Sequence, residues 1–250
     1  MGIMEIGLQL YSVRDALAAD YYGTLEAVAA AGYRTVELAG AYGTSPAETA
    51  RRLSALGVRA PAAHVGLPLS SETLDLAAAF GCTHLICPWM PPETFRTRSD
   101  IARNCDLLNE AAQVAKRNGL ALLYHNHWWE YREVVDEQPV YRLMASHLEP
   151  EVGYEVDLYW AKTGGADPRL VMAELGGRVQ IIHIKDGPLD ENQPMTAIGE
   201  GAFGWDTLIG ELHASALAYG FVEMDRVGES DTPVAAAARS MAWLRAHGAG

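Results

Sequence analysis

Ser45-Pro-Ala-Glu48-Thr-Ala-Arg-Arg-Leu-Ser-Ala-Leu-Gly57-Val58-Arg-Ala-Pro-Ala-Ala-His64 carries a helix and a strand in one stretch. Ser45 suits an N-cap, Pro46 the first helical turn and Glu48 the reciprocal half of a capping box, while Gly57 suits the far end. The run from Val58 to His64 then reads as a strand. The same unit recurs outward in both directions. Strands are expected near 4–10, 34–38, 58–64, 83–88, 120–127, 152–157, 179–185 and 219–225, with helical punctuation between them. In one intervening helix, over about 100–118, Ile101, Cys105, Leu108, Ala112 and Ala115 share a face, Ser99 is the expected cap and Gly119 follows the end. Asp167-Pro168 and Thr232-Pro233 mark two more helix starts, and Gly32, Gly81, Gly220 and Gly248 sit where helices should stop. Strict alternation of strand and helix implies a parallel sheet. Eight units in 250 residues favour closure into an α/β (β/α)8 TIM barrel, one domain over 1–250. The rival, an open doubly wound sheet, usually carries a glycine-rich turn after its first strand. Here that strand runs into Gln9-Leu10-Tyr11-Ser12.

Composition narrows the function. The chain is 49% hydrophobic and 20% charged, enough apolar material for a large core. Its 19 basic and 32 acidic residues leave a net charge of -13, and no cationic run suggests a nucleic-acid partner. Cys82, Cys87 and Cys105 are too few and too irregularly spaced for a disulfide framework, and they read as buried thiols of a reducing compartment. No signal peptide and no membrane-length apolar run is visible, so a cytoplasmic protein with no membrane partner is expected. Composition leaves the oligomeric state open, a homo-oligomer included.

The expected strands end in polar residues. Side chains on a strand alternate between faces. On the seventh, His183 and Lys185 share a face against Ile182 and Ile184; on the eighth, Glu223 and Asp225 do so against Val222 and Met224. Glu155 pairs with Asp157 on the sixth and His125 with His127 on the fifth, while Glu37 lies on the second strand, His64 closes the third and Gln9 lies near the end of the first. In this architecture the carboxyl ends of the strands carry the active site. Carboxylates and imidazoles gathered with few cations are costly unless neutralised. A divalent ion does that, and oxygen and nitrogen donors suit Mn, Co, Zn or Mg.

These motifs resemble the xylose isomerase-like barrels, the sugar phosphate isomerase/epimerase group. The likeness rests on Gly7 to Asp15, Val36 to Gly40, Tyr124-His125-Asn126-His127-Trp128-Trp129-Glu130-Tyr131, Glu155-Val156-Asp157, His183-Ile184-Lys185-Asp186, Gly199-Glu200-Gly201 and Val222-Glu223-Met224-Asp225, in order along the chain. The resemblance implies one divalent metal ion held by two Glu, one Asp and one His from the last four strands. Carried over, Asp157, His183 and Glu223 take three places and Glu130 the fourth, with His125 or His127 as substitutes. The Tyr-His-Asn-His segment resembles inosose dehydratases and lyases of 3-keto sugars.

The expected activity is a metal-dependent sugar isomerase or epimerase that removes a proton α to a carbonyl of a small sugar, keto-sugar or cyclic polyol. His127, His125, Lys185 and Glu130 are the catalytic candidates. Glu37, His64, Gln9, Trp129, Arg226 and Asp225 are the candidates for binding substrate. Lys185 and Arg226 are the obvious cations there and no glycine-rich phosphate cradle shows, which favours an uncharged substrate. Two alternatives remain: a dehydratase or lyase working by β-elimination on inosose or 3-keto-glycosides, and a non-catalytic sugar-binding barrel. A metal-dependent endonuclease would need the cationic face this chain lacks.

Overall fold

The computed structural model describes residues 4–40, 43, 45–213 and 215–249. Eight parallel strands close on themselves: β1 (Glu5–Gln9), β2 (Thr35–Ala39), β3 (Arg59–His64), β4 (His84–Cys87), β5 (Ala121–His125), β6 (Val152–Asp157), β7 (Val179–Ile184) and β8 (Tyr219–Val222). Each strand pairs with its sequence neighbour, and β8 returns to β1 with Leu8 opposite Val222. Helices follow the strands and cover the outer face. Among the described residues, no helix is long and apolar enough to cross a membrane.

The helices begin where short polar side chains replace missing backbone partners. Ser45 accepts from the Glu48 N–H to open Pro46–Ala55, and Thr232 accepts from the Ala235 N–H to open Pro233–Ala246. Asp167 does the same for Pro168–Leu175 through the Arg169 N–H. In Arg98–Arg117 the buried stripe holds Ile101, Cys105, Leu108, Ala112 and Ala115, as the periodicity predicts. The cap is Thr97, not Ser99, because the helix starts two residues earlier and Thr97 accepts from the Asp100 N–H. Gly220 lies inside β8 rather than at a helix end; a side chain there would meet Ile184 and Met4.

Two apolar clusters follow from the alternation. The larger one joins strands to helices. The smaller one, Ala62, Ile86, Leu123, Ile181 and Phe221, fills the bore of the barrel. Gly7 makes room for it, since a Cβ there would lie 2.5 Å from the Phe221 ring and 2.9 Å from the Thr35 carbonyl. This plug seals the bore below the carboxyl ends of the strands. The next inward residues along the strands are polar, and they form the floor of the site.

Candidate active site

Every strand but β4, within its span or just past its end, sends polar side chains into one buried network. Gln9 Nε2 donates to Glu37 Oε2 at 2.6 Å, which sets the carboxylate of β2 against its neighbour. Glu37 Oε2 in turn lies 2.8 Å from His183 Nε2, and Glu155 Oε2 lies 3.1 Å from the same nitrogen. His183 Nδ1 meets Glu223 Oε2 at 2.7 Å. His64 Nε2 lies 3.0 Å from Glu155 Oε2 and 3.3 Å from Glu37 Oε2. On the other side, Lys185 Nζ stands 3.0 Å from Asp157 Oδ2, 2.7 Å from Glu223 Oε2 and 3.2 Å from Asp225 Oδ2. Trp205 holds the Lys185 backbone, donating its indole N–H to the lysine carbonyl at 2.7 Å.

Burial sets the protonation states. Burial opposes charge on His183, yet Glu155 and Glu223 outweigh it and hold the imidazole pKa well above its usual value. For His64 burial again opposes charge, and Glu37 and Glu155 push the pKa up to about 10. Burial and then the charge on His183 drive His125 the other way, well below the usual range. His127 falls too, through burial and then His125. These last two rings are therefore neutral near pH 7. Asp157 is pushed up to about 6 by burial, against the pull of Lys185 and His183.

Two overlapping groups of donor atoms lie within 4.8 Å of one another: His125, Asp157, His183 and Glu223, and His64, His125, Glu155 and His183. The first group fits a divalent ion. Asp157 Oδ2 and His125 Nδ1 are buried with no hydrogen bond, although Lys185 Nζ and Glu155 Oε2 stand 3.0 and 3.1 Å away. Such orphaned donors are costly unless an ion or water uses them. Five carboxylates, Glu37, Glu155, Asp157, Glu223 and Asp225, crowd one lysine and the histidines, so a bound dication reduces an excess of negative charge. Two imidazoles and two carboxylates suit zinc, cobalt or manganese.

Above this floor opens a cavity of about 610 Å³ lined by Tyr11, His64, Trp89, His127, Glu223 and Asp225, among others. Trp89 is half exposed, and its ring meets the His127 ring edge-on at 4.7 Å.

A family model described as a xylose isomerase-like TIM barrel matches residues 25–247. The chain belongs to the xylose isomerase-like TIM barrel family. Two solved sugar phosphate isomerase/epimerase structures from Parabacteroides distasonis resemble this xylose isomerase-like barrel. One is 22% identical with a TM-score of 0.82, covering 98% of this chain and 95% of the other; the second is 26% identical with a TM-score of 0.81, covering 97% and 98%. The IOLI protein, solved with a zinc atom, shares the fold at 16% identity and a TM-score of 0.73, covering 98% of each chain. No curated protein matches the chain.

Three expected site residues of this xylose isomerase-like barrel lie outside the donor groups and the cavity lining. Glu130 is fully buried but belongs to neither donor group. It sits in the helical turn Trp129–Arg132, and its two oxygens accept from the Tyr124 hydroxyl and the His127 N–H, each at 2.8 Å. Burial pushes its pKa up to about 8. Of the two expected substitutes, His125 belongs to both donor groups and His127 lines the cavity. Trp129 packs in the core against Phe95 at 4.8 Å and does not line the cavity. Arg226 is exposed and bonds the Asn192 carbonyl instead of facing the floor. Gln9, Glu37, His64, Asp225, His127 and Lys185 all join the network or line the cavity. Glu155 is outside the expected catalytic, binding and metal residues, although its place two residues before Asp157 puts it on the same face. Trp89 stands alone in a loop and offered no pattern to read.

Proposed function

We propose that this barrel is a divalent-metal-dependent sugar isomerase or epimerase that removes the proton beside a carbonyl of a sugar, keto-sugar or cyclic polyol. One observation carries the reading: His125, Asp157, His183 and Glu223 converge below a cavity whose wall holds a second, neutral histidine. A bound dication would supply Lewis-acid stabilisation of the oxygen that gains charge as the proton leaves. The rest falls to the side chains. His127 is neutral, lines the cavity and has a buried Nδ1 with no partner, so it has the state a base needs at pH 7. After taking the carbon-bound proton, it would return it to the adjacent carbon in an isomerisation, while the hydroxyl proton passes from the former alcohol oxygen to the former carbonyl oxygen. Lys185 keeps its charge, because burial is outweighed by Asp157, Asp225 and Glu223, and it holds those carboxylates in place. His64, backed by Glu155 and Glu37, faces the cavity as a donor to a substrate hydroxyl.

A second reading, β-elimination by a dehydratase or lyase, draws on the fifth strand. There a histidine, His125, takes the ligand corner, and the second proton acceptor of an epimerase is not evident. Solvent deuterium exchange separates the readings. Protein loaded in turn with Mn, Co, Zn or Mg is mixed with ketoses and inososes in D2O. Exchange at the carbon beside the carbonyl, with retention of the carbon skeleton and hydroxyl count, supports the isomerase; loss of water or an aglycone supports the lyase. A metal-loaded protein that exchanges nothing leaves a sugar-binding barrel.

A further inference from the structure

β8 ends just before Glu223, and its last pair with β1 sets Val222 opposite Leu8. Beyond that pair β1 leaves the sheet through the 3-10 turn Leu10–Val13, while the other stretch runs on through Glu223, Met224 and Asp225. On the β7 side the Glu223 N–H still reaches the Ile184 carbonyl at 3.1 Å. On the β1 side the ladder is over, and two side chains take its place. Ser12, buried, accepts from the Met224 N–H at 3.0 Å. Arg14 donates one terminal nitrogen to the Asp225 carbonyl at 2.8 Å and the other to the Tyr11 carbonyl at 2.9 Å, with its guanidinium 4.0 Å from the centre of the Tyr11 ring. Gln9 holds Tyr11 from the other side, its Oε1 accepting from the Tyr11 N–H at 3.0 Å. The two peptide units that flank Glu223 are thus fixed from opposite sides, by Ile184 and by Ser12. Asp225 is fixed likewise, its N–H on Met195 Sδ at 3.4 Å and its carbonyl on Arg14. Because Tyr11 and Asp225 both line the cavity, one guanidinium spans the seam where the barrel closes.

We infer that Ser12 and Arg14 are positioning residues, a clasp across the β1–β8 seam that sets the backbone of residues 223–225 and so aims the Glu223 carboxylate. This rests on the reading of Glu223 as a metal donor. Neither side chain belongs to a donor group or lines the cavity. They act through the main chain. Glu223 Oε2 stands 2.7 Å from both His183 Nδ1 and Lys185 Nζ, so it has little room to drift before one contact is lost. A misplacement of about 1 Å at such a centre costs on the order of a hundredfold in rate. The fork of an arginine suits the task, since it reaches two carbonyls at once while its face covers an aromatic ring; a lysine ammonium offers neither the plane nor the spread of donors.

The test uses the full chain loaded with Co(II), whose visible absorption bands report the geometry of its ligands and whose affinity is read by competition with a chelator. Ser12→Ala removes the acceptor of the Met224 N–H, and Arg14→Lys keeps the charge but loses the fork. Each should weaken cobalt binding about tenfold or more and alter the bands, with circular dichroism showing the barrel intact. Arg178 supplies the comparison. Its guanidinium bonds the carbonyls of Ala145, Leu148, Glu149 and Val152 at the end of β7 opposite to His183. Arg178→Lys should lower the denaturation midpoint and leave the cobalt bands as they are. Bands and affinity unchanged in both Ser12→Ala and Arg14→Lys overturn the inference and leave the metal reading standing. An equal change in Arg178→Lys also overturns it, because the effect is then general loosening. Altered bands in the two seam variants alone, with no deuterium exchange on any ketose or inosose, uphold the clasp and sink the proton-abstraction reading. A wild-type protein that takes up no cobalt sinks both.

Discussion

Glu223 and Glu130 are both buried carboxylates within reach of histidines, and they make opposite predictions. Glu223 touches His183 and Lys185 at 2.7 Å each and belongs to the donor group with His125, Asp157 and His183. Glu223→Gln should cut bound metal and turnover by about a hundredfold or more, since even outer partners of metal ligands cost 10–100-fold. Elemental analysis checks this, with circular dichroism to show that the fold survives. Glu130→Gln should leave metal content unchanged, because both its oxygens serve Tyr124 and the His127 N–H. It should change stability with pH instead. The folded pKa of Glu130 is raised to about 8 from 4.5, so between those values the unfolded chain binds fewer protons and stability falls as pH rises. The stabilisation is on the order of a few kcal/mol, present below the unfolded value and lost above the folded one. Urea unfolding at pH 5 and pH 9 should show the difference narrowing in the glutamine variant. Asp157, His183 and Glu223 were legible because strand alternation places them without knowledge of the loops. The role of Glu130 was not, because a four-residue helical turn folds its carboxyl back onto Tyr124, a contact that no spacing rule encodes.

At the level of elements, caps and strand ends were readable and the long connections were not. Ser45, Asp167 and Thr232 each bond the backbone as their residue types require. The connection after β7 depends on one side chain that sequence alone does not single out. Asp186 accepts from the N–H groups of Gly187, Gly199 and Phe203 at 2.9, 2.9 and 3.0 Å, and so ties the stretch 187–203 to the end of β7. Asp186→Ala should leave three inward N–H groups without their acceptor, at about 1–3 kcal/mol each where water cannot replace it. The expected result is a lower denaturation midpoint and faster hydrogen exchange at Gly199 and Phe203. Unchanged exchange there would mean that the stretch is held by other contacts.

Across the whole molecule, eight strand-and-helix units announced a closed barrel because no dinucleotide turn follows β1 and the alternation is interrupted only by a short hairpin, Val134–Val135 with Gln138–Pro139, among the described residues. Closure itself, with β8 against β1, is a long-range fact that only the register shows. The net charge of -13 makes a prediction at this scale. The protein should show no measurable affinity for duplex DNA, abasic sites included, in fluorescence anisotropy at about 150 mM salt, where non-specific binding relies on phosphate neutralisation by lysine and arginine.

The donor group is scattered along the chain, with His125 on β5 and Glu223 just beyond β8. During synthesis, a ribosome releases the last of these donors about a hundred residues after the first. On the proposed reading, ion capture waits for residue 223, and a nascent chain stalled before it would lack one of the four donors.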